Sequence, residues 1–356
     1  MIDRESLAHQ VKRNCNISDS RHWGQYSLCG LLLRLRDLYR SENRKNLWET
    51  ISHRDVGDWV SAREILWEEL KDSEFTEIAL NGRVYDAFEV EPINTALTQE
   101  GLVYGAGLGL YGKPSFFLAD LIAKQQKNGC AVFITGNEYA RDLADHPAMV
   151  QGKTIFVRTE MTKQLLWGRF EEARSRGGSP ALSYAFSWYG ISADEEPSER
   201  LSERISAVAR SEAETFMSHE LGEVFEGERI GGEWKELLAS LPHGRAEVFA
   251  RSVKDILSDT SENGMLVHIM QNRKAGSLGF YLVFLTGFRK IIFPEISDAF
   301  SALQETGDWE KIEEARKAGY KNASRYMDRI LALDTKGLLP GEVSERIDQE
   351  ILNGLS

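Results

Sequence analysis

Apolar residues recur every three or four positions over most of this chain, and the exceptions divide it. Leu28, Leu32, Leu35 and Tyr39 give one apolar face to a helix from Tyr26 to about Glu42. Val56, Trp59, Val60, Trp67 and Leu70 do the same from about Arg54 to Leu70, with Arg63 the single charge interrupting the stripe. These two helices are expected to pair. Before them, residues 15–25 show no period and read as an irregular polar loop.

Helical spacing stops after Leu70. The runs Phe75 to Leu80 and Val84 to Val90 flank Asn81-Gly82, a dipeptide suited to the positive φ angles of a tight turn, so a β-hairpin is expected there. Ala131 to Thr135 and Thr154 to Val157 read as further short strands. Ser115 to Lys127 and Glu138 to Ala144 read as helices between them. From Glu160 onward the spacing predicts helices at about 160–175, 181–189, 199–226, 233–240, 245–260, 278–293, 308–333 and 341–353. Their breaks fall at Gly177-Gly178, Pro197, Gly231-Gly232, Pro242, Gly264, Pro294 and Pro340. The segment Leu278 to Phe293 is apolar nearly all round and is expected to be the central helix.

The fold class these patterns imply is mainly α (α+β), a multi-helix bundle with a small mixed β-sheet insert. The expected organisation is an N-terminal helical part at 1–74, an α+β insert at 75–158 and a helical bundle at 159–356, forming one compact body. No repeat of 20 to 50 residues and no Pro/Ser-rich linker divides it.

Composition narrows the partners. A chain of 356 residues, 42% apolar and 28% charged, can bury a large core. Its net charge of −12 carries no basic tract, which disfavours nucleic acid and anionic membrane and leaves a small molecule or another protein as the expected partner. The N-terminal stretch is polar, and the longest apolar run, Phe280 to Leu285, is far below the ~20 residues a spanning helix needs. Three cysteines without a CxxC pair argue for reduced thiols. A cytoplasmic setting is the expectation.

The most informative stripe lies on the 199–226 helix: Leu201, Ile205, Val208, Glu212, Phe216, His219, Glu223. An apolar seam here exchanges its hydrophobic residues for a carboxylate, an imidazole and a second carboxylate, and buried charges need partners. His219-Glu220-Leu221-Gly222-Glu223 is superficially similar to the zinc-protease helix, but Glu223 stands where that motif has its second histidine. Mixed imidazole and carboxylate donors on bundle helices suit iron, manganese or zinc, with iron or manganese the expected cofactor. Asp255 and Asp259, one turn apart on the 245–260 helix, are the best complement from a second helix, although their place at the edge of its apolar face also fits a solvated surface. A redox or oxygen-handling metalloenzyme is one reading of Glu212, His219, Glu223, Asp255 and Asp259. The other is a non-enzymatic scaffold whose charges pair with arginines such as Arg210, Arg245, Arg251 or Arg289.

Gly107-Leu-Gly109-Leu-Tyr-Gly112-Lys113 fits G-x-x-x-x-G-K, so Gly107, Gly109, Gly112 and Lys113 are candidates for holding an anion or nucleotide over residues 105–115. Pro114 departs from the motif, because a phosphate loop has Ser or Thr there and a helical lysine before it. Asp19, Arg21, His22 and Tyr26 read as a helix-capping loop, with Cys15 and His22 an alternative nucleophile and base. Glu138, Arg141, Asp142, Asp145 and His146 read as an exposed helix face.

Several of these stretches together carry a resemblance. Cys15-Asn16-Ile17-Ser18-Asp19 with Arg21, Tyr26 and Cys29, Tyr104 to Gly107 with Gly112 to Phe117, Glu138 to Asp142, and His219 to Glu223 resemble an uncharacterised family of mainly helical bacterial proteins along most of the chain. The resemblance implies a shared fold and transfers no catalytic residue.

Overall fold

The computed structural model describes residues 2–109, 112–333 and 337–354. The chain divides into two compact units, one comprising Met1–Phe170 and Glu195–Ala213, the other Glu171–Asp194 and Glu214–Ser356.

The first unit begins with three helices, α1 (Arg4–His22), α2 (Leu28–Glu42) and α3 (His53–Leu70). Asp3, Ser27 and Ser52 cap them by accepting first-turn amide protons. The helices α2 and α3 pair as expected, through an edge-to-face contact of Tyr39 with Trp59 and an ion pair of Arg63 with Glu42. The expected polar loop at 15–25 is instead mostly the last two turns of α1. Its polar residues Asn14, Asn16, Ser18 and Asp19 are all buried, because each finds a partner in a distant segment: Thr76, Arg63 and Trp67, the Pro114 carbonyl, and the Leu143 amide.

The hairpin at Asn81-Gly82 forms as β1 (Ile78–Leu80) and β2 (Arg83–Tyr85), both turn residues taking positive φ. After α4 (Val90–Leu97) come β3 (Leu102–Leu108), β4 (Pro114–Lys127), β5 (Cys130–Arg141), β6 (Ala148–Gln151) and β7 (Thr154–Arg158), in the sheet order β3-β4-β5-β7-β6. Among the described strands only β5 and β7 pair in parallel. The helices expected at Ser115 to Lys127 and Glu138 to Ala144 are therefore strands β4 and the end of β5 with its following turn. Over Ser115 to Ala119 the reason is burial on both faces. Leu102, Tyr104, Phe116 and Leu118 pack with Leu7, Val11 and Cys15 of α1, while Val103, Phe117 and Ala119 pack with Phe133 and Phe156 on the opposite face. A strand covered on both sides loses its alternating polarity.

Helix α5 (Thr159–Arg176) leaves the sheet. The second unit contains α6 (Pro180–Trp188), the later part of α7 (Glu199–Ile230), α8 (Gly232–Ser240), α9 (Arg245–Thr260), α10 (Met265–Gln271), α11 (Ala275–Phe284), α12 (Phe288–Ile292), α13 (Glu295–Thr306), α14 (Glu310–Leu331) and α15 (Pro340–Glu350). Its centre is α9, whose Phe249, Val253 and Ile256 meet Leu278, Phe293, Ile312 and Ile347 in one core. The continuous helix expected at 278–293 is broken after Phe284, and Gly287 at φ 57° turns the chain into α12. Helices α10 and α13 fall outside the expected elements, although Ile296, Ala299, Phe300 and Leu303 give α13 an apolar stripe at helical spacing. Among the described residues no helix is long and apolar enough to cross a membrane.

Candidate metal centre

Helix α7 presents His219 and Glu223 one turn apart toward Asp255 and Asp259, also one turn apart, on α9. A glycine makes this approach close. A Cβ on Gly222 would lie 2.3 Å from the Ser258 carbonyl oxygen, a backbone atom that cannot swing aside. Gly222 therefore sets the spacing between the two pairs of polar side chains.

His219 Nδ1 lies 2.6 Å from Asp259 Oδ1. Its Nε2 faces Glu223 Oε1 at 3.4 Å. One ligand atom from each of His219, Glu223 and Asp255 can be chosen so that all lie within 4.8 Å of one another. The three are half-buried, with side-chain exposures of 21%, 17% and 26%, so solvent reaches the group. Asp259 is buried at 2% while Val248, its neighbour on the helix edge, is 45% exposed. The solvated-edge reading of Asp259 is thus corrected, because α7 covers that edge. Tyr281 is also buried, and burial first and Asp259 second push its phenol well up, without a hydrogen bond of good geometry between them.

Two cations complete the group. Lys254 Nζ is 2.5 Å from Glu223 Oε1 and 3.8 Å from Asp255 Oδ1, and Arg289 is 3.8 Å from Asp255 Oδ2. Burial works against charge on Lys254, yet Glu223 and then Asp255 hold its pKa above the usual lysine range. Burial likewise opposes charge on His219, and Asp259 followed by Glu223 outweighs it, so the ring is protonated well above 6.5. Burial would raise Glu223, but Lys254 and His219 hold it well below the usual carboxylate range. For Glu220 the same cations do not suffice: burial and then the Glu223 charge push it up to about 8 against the pull of His219 and Lys254. At neutral pH the group holds charged Glu223 against Lys254 and protonated His219, with Glu220 neutral.

The remaining candidates lie elsewhere. Glu212 is buried at 3% but precedes His219 by two turns, about 10 Å along the axis, and is not in the group. Of the arginines expected to pair with the stripe, Arg289 reaches Asp255, while Arg251 binds Glu247. Sequence spacing did not reveal Lys254, which stands one position off the face that carries Asp255 and Asp259.

In the first unit, Gly107 lies in β3, and Gly109 and Gly112 in the turn that joins it to β4. Leu110 and Tyr111 of the glycine-rich motif lie outside the described residues. The turn leads into a strand and not the helix expected, so the strand–loop–helix geometry of a phosphate loop is absent. The strand glycines answer to packing. A Cβ on Gly105 would fall 1.9 Å from the Phe117 ring, and one on Gly107 would fall 1.8 Å from the Gln151 side chain. Lys113 is buried, 3.0 Å from Asp19 Oδ1 and 3.5 Å from Asp142 Oδ2. Burial pushes Asp19 up to about 6, against the pull of Lys113. The capping-loop reading of Asp19 is corrected accordingly: it accepts the Leu143 amide and ties α1 to the turn after β5. His22 Nδ1 lies 2.8 Å from the Ser18 carbonyl and Cys15 donates to the Phe116 carbonyl, so the two are not joined as nucleophile and base. Glu138, Arg141 and Asp142 are buried and belong to no exposed helix face. Glu138 holds Arg158 through two bonds of 2.7 and 2.8 Å.

Fold and site define a mainly helical protein with a sheet insert and a half-buried imidazole–carboxylate group on two crossing helices. The N-terminal domain of a family of unknown function (DUF6866) matches residues 6–158, and the C-terminal domain of the same family matches residues 163–354. The chain belongs to this family. No curated protein and no solved structure matches it.

Proposed function

We propose that this protein binds a divalent transition metal through His219, Glu223 and Asp255. The observation that carries this reading is the Asp259–His219 contact of 2.6 Å at Nδ1. A carboxylate on the far nitrogen is the arrangement that fixes the tautomer and aims the other nitrogen of a metal-binding histidine. Here it leaves Nε2 facing Glu223. One imidazole and two carboxylates suit iron or manganese, and three protein donors leave coordination positions for water or substrate. Such an open centre supports a redox or oxygen-handling role, with a small molecule or protein as partner. Three free cysteines support a reducing, cytoplasmic setting. The ion would have to displace the proton of His219 and move Lys254 off Glu223.

A second reading rests on Lys254 itself. Its ammonium at 2.5 Å from Glu223 already supplies a cation, which is what a scaffold closed by a structural ion-pair network requires. Calorimetric titration of the metal-stripped protein with Mn2+ and Fe2+ separates the two. Under the metal reading about one ion binds per chain. His219→Ala and Glu223→Ala abolish binding, Glu220→Ala retains it, and Lys254→Met tightens it by removing a competing cation. No binding by the wild type, or unaltered binding by His219→Ala, leaves the ion-pair network as the function of these residues.

A further inference from the structure

The first unit contains a second place where charge is gathered, and there its sign is opposite to that of the chain. A cleft of about 600 Å3 lies between the end of α2 and the first turns of α5, against Asn137 to Tyr139 of β5. Five cations line it: Lys12, Arg40, Arg44, Lys45 and Lys163. Three carboxylates share the wall, but two are committed away from it. Glu138 is gripped by Arg158, and Glu42 is paired with Arg63. Of the lining carboxylates that leaves Glu160, while Glu49, off the wall, draws on Lys45 and Arg40, so the positive surplus of the cleft rests on Lys12, Arg44 and Lys163 in a protein of net charge −12.

Capping of α2 does not account for these cations. The last carbonyls of that helix are already taken by backbone amides: Asn43 N donates to Tyr39 O, Arg44 N to Ser41 O and Lys45 N to Arg40 O. These bonds carry the chain through Arg44 at φ 51° and place the Arg44 and Lys45 side chains at the rim of the cleft. Arg40, buried at 7%, is fixed by a 2.6 Å bond to the Asn46 carbonyl. Across the cleft, Glu160, Lys163 and Gln164 belong to the opening turns of α5, where first-turn amides add positive potential. Ammonium and guanidinium groups arriving from three helices match an anion with several oxygens and more than one negative charge.

We propose that this cleft binds a small phosphate-bearing metabolite, a diphosphate or phosphate ester, independently of the metal centre. The probe is inorganic pyrophosphate, titrated calorimetrically into the full chain. The expected result is saturable one-to-one binding with a Kd below about 1 mM. The variant Arg44→Gly/Lys163→Ala should weaken binding at least about tenfold. Glycine accepts the positive φ at residue 44 and alanine favours the helix at 163, so fold is retained, and an unaltered melting temperature checks this. Lys124→Ala/Lys127→Ala is the control. Those lysines lie toward the other end of the β4–β5 hairpin, paired with Phe133 and Cys130, about 16 and 26 Å along the strand from Glu138, and their loss should leave the Kd unchanged. Absence of binding, or equal weakening by both double variants, overturns the proposal, the latter by showing only diffuse attraction of an anion to surface lysines.

Discussion

Glu220→Gln is expected to stabilise the protein increasingly as pH rises. In the folded chain the Glu220 carboxyl is pushed from 4.5 to about 8, first by burial and then by the charge of Glu223. The side chain is buried at 7%, so solvent does little to relieve it. Unfolding returns it to an ordinary carboxylate. Between these two values the folded form keeps a proton that the unfolded form releases. Folding stability is therefore intact below the unfolded pKa and is lost as pH rises through the folded one. At about 1.4 kcal/mol per pH unit, the loss is under about 1 kcal/mol at pH 5 and about 3 kcal/mol at pH 7. Glutamine keeps the shape of the protonated acid and has no proton to lose. Urea denaturation in the presence of chelator, at both pH values, should show the variant gaining about 2 kcal/mol more over wild type at pH 7 than at pH 5. A difference that is the same at both would refute the argument that Glu220 is held neutral.

The same contacts have other consequences. Gly222→Ala places a methyl group 2.3 Å from the Ser258 carbonyl, so it should cost about 1–3 kcal/mol in denaturation and abolish metal binding by parting α7 from α9. Because His219 is protonated well above 6.5, metal affinity should rise by about tenfold per pH unit from pH 6 to 7, and a flat titration profile would exclude it as a ligand. Arg158→Met leaves Glu138 charged and buried without its partner, at an expected cost of about 3–5 kcal/mol. The double variant Arg158→Met/Glu138→Gln should recover much of that loss, and denaturation midpoints of the two variants provide the measurement.

The amino-acid sequence by itself determined the α2–α3 pair, most helices after Glu160 and the general location of the candidate site. Paired stripes on α2 and α3, the Asn81-Gly82 hairpin and the breaks at Gly and Pro are local effects, written in side-chain spacing and backbone freedom. The seam of α7 turning polar at His219 and Glu223 was legible for the same reason, since a face that must be buried cannot carry charge without partners. The sequence offered Asp255 and Asp259 as the complement from a second helix, and tertiary structure alone decided that they meet His219 and Glu223. Asp255 and Asp259 come from a helix more than thirty residues on, and Lys254 enters because Gly222 lets α9 approach; neither contact leaves a periodic trace. The first half of β4 and the end of β5 escaped the pattern because both faces are covered there, which erases the alternation that marks a half-exposed strand, whereas Ala131 to Thr135 of β5 was legible. The polar end of α1 escaped it too, as Asn14, Asn16, Ser18 and Asp19 are buried against segments 47 to 124 residues away. Burial of a polar group is tolerable only where a distant donor or acceptor meets it, and that meeting is a property of the folded chain.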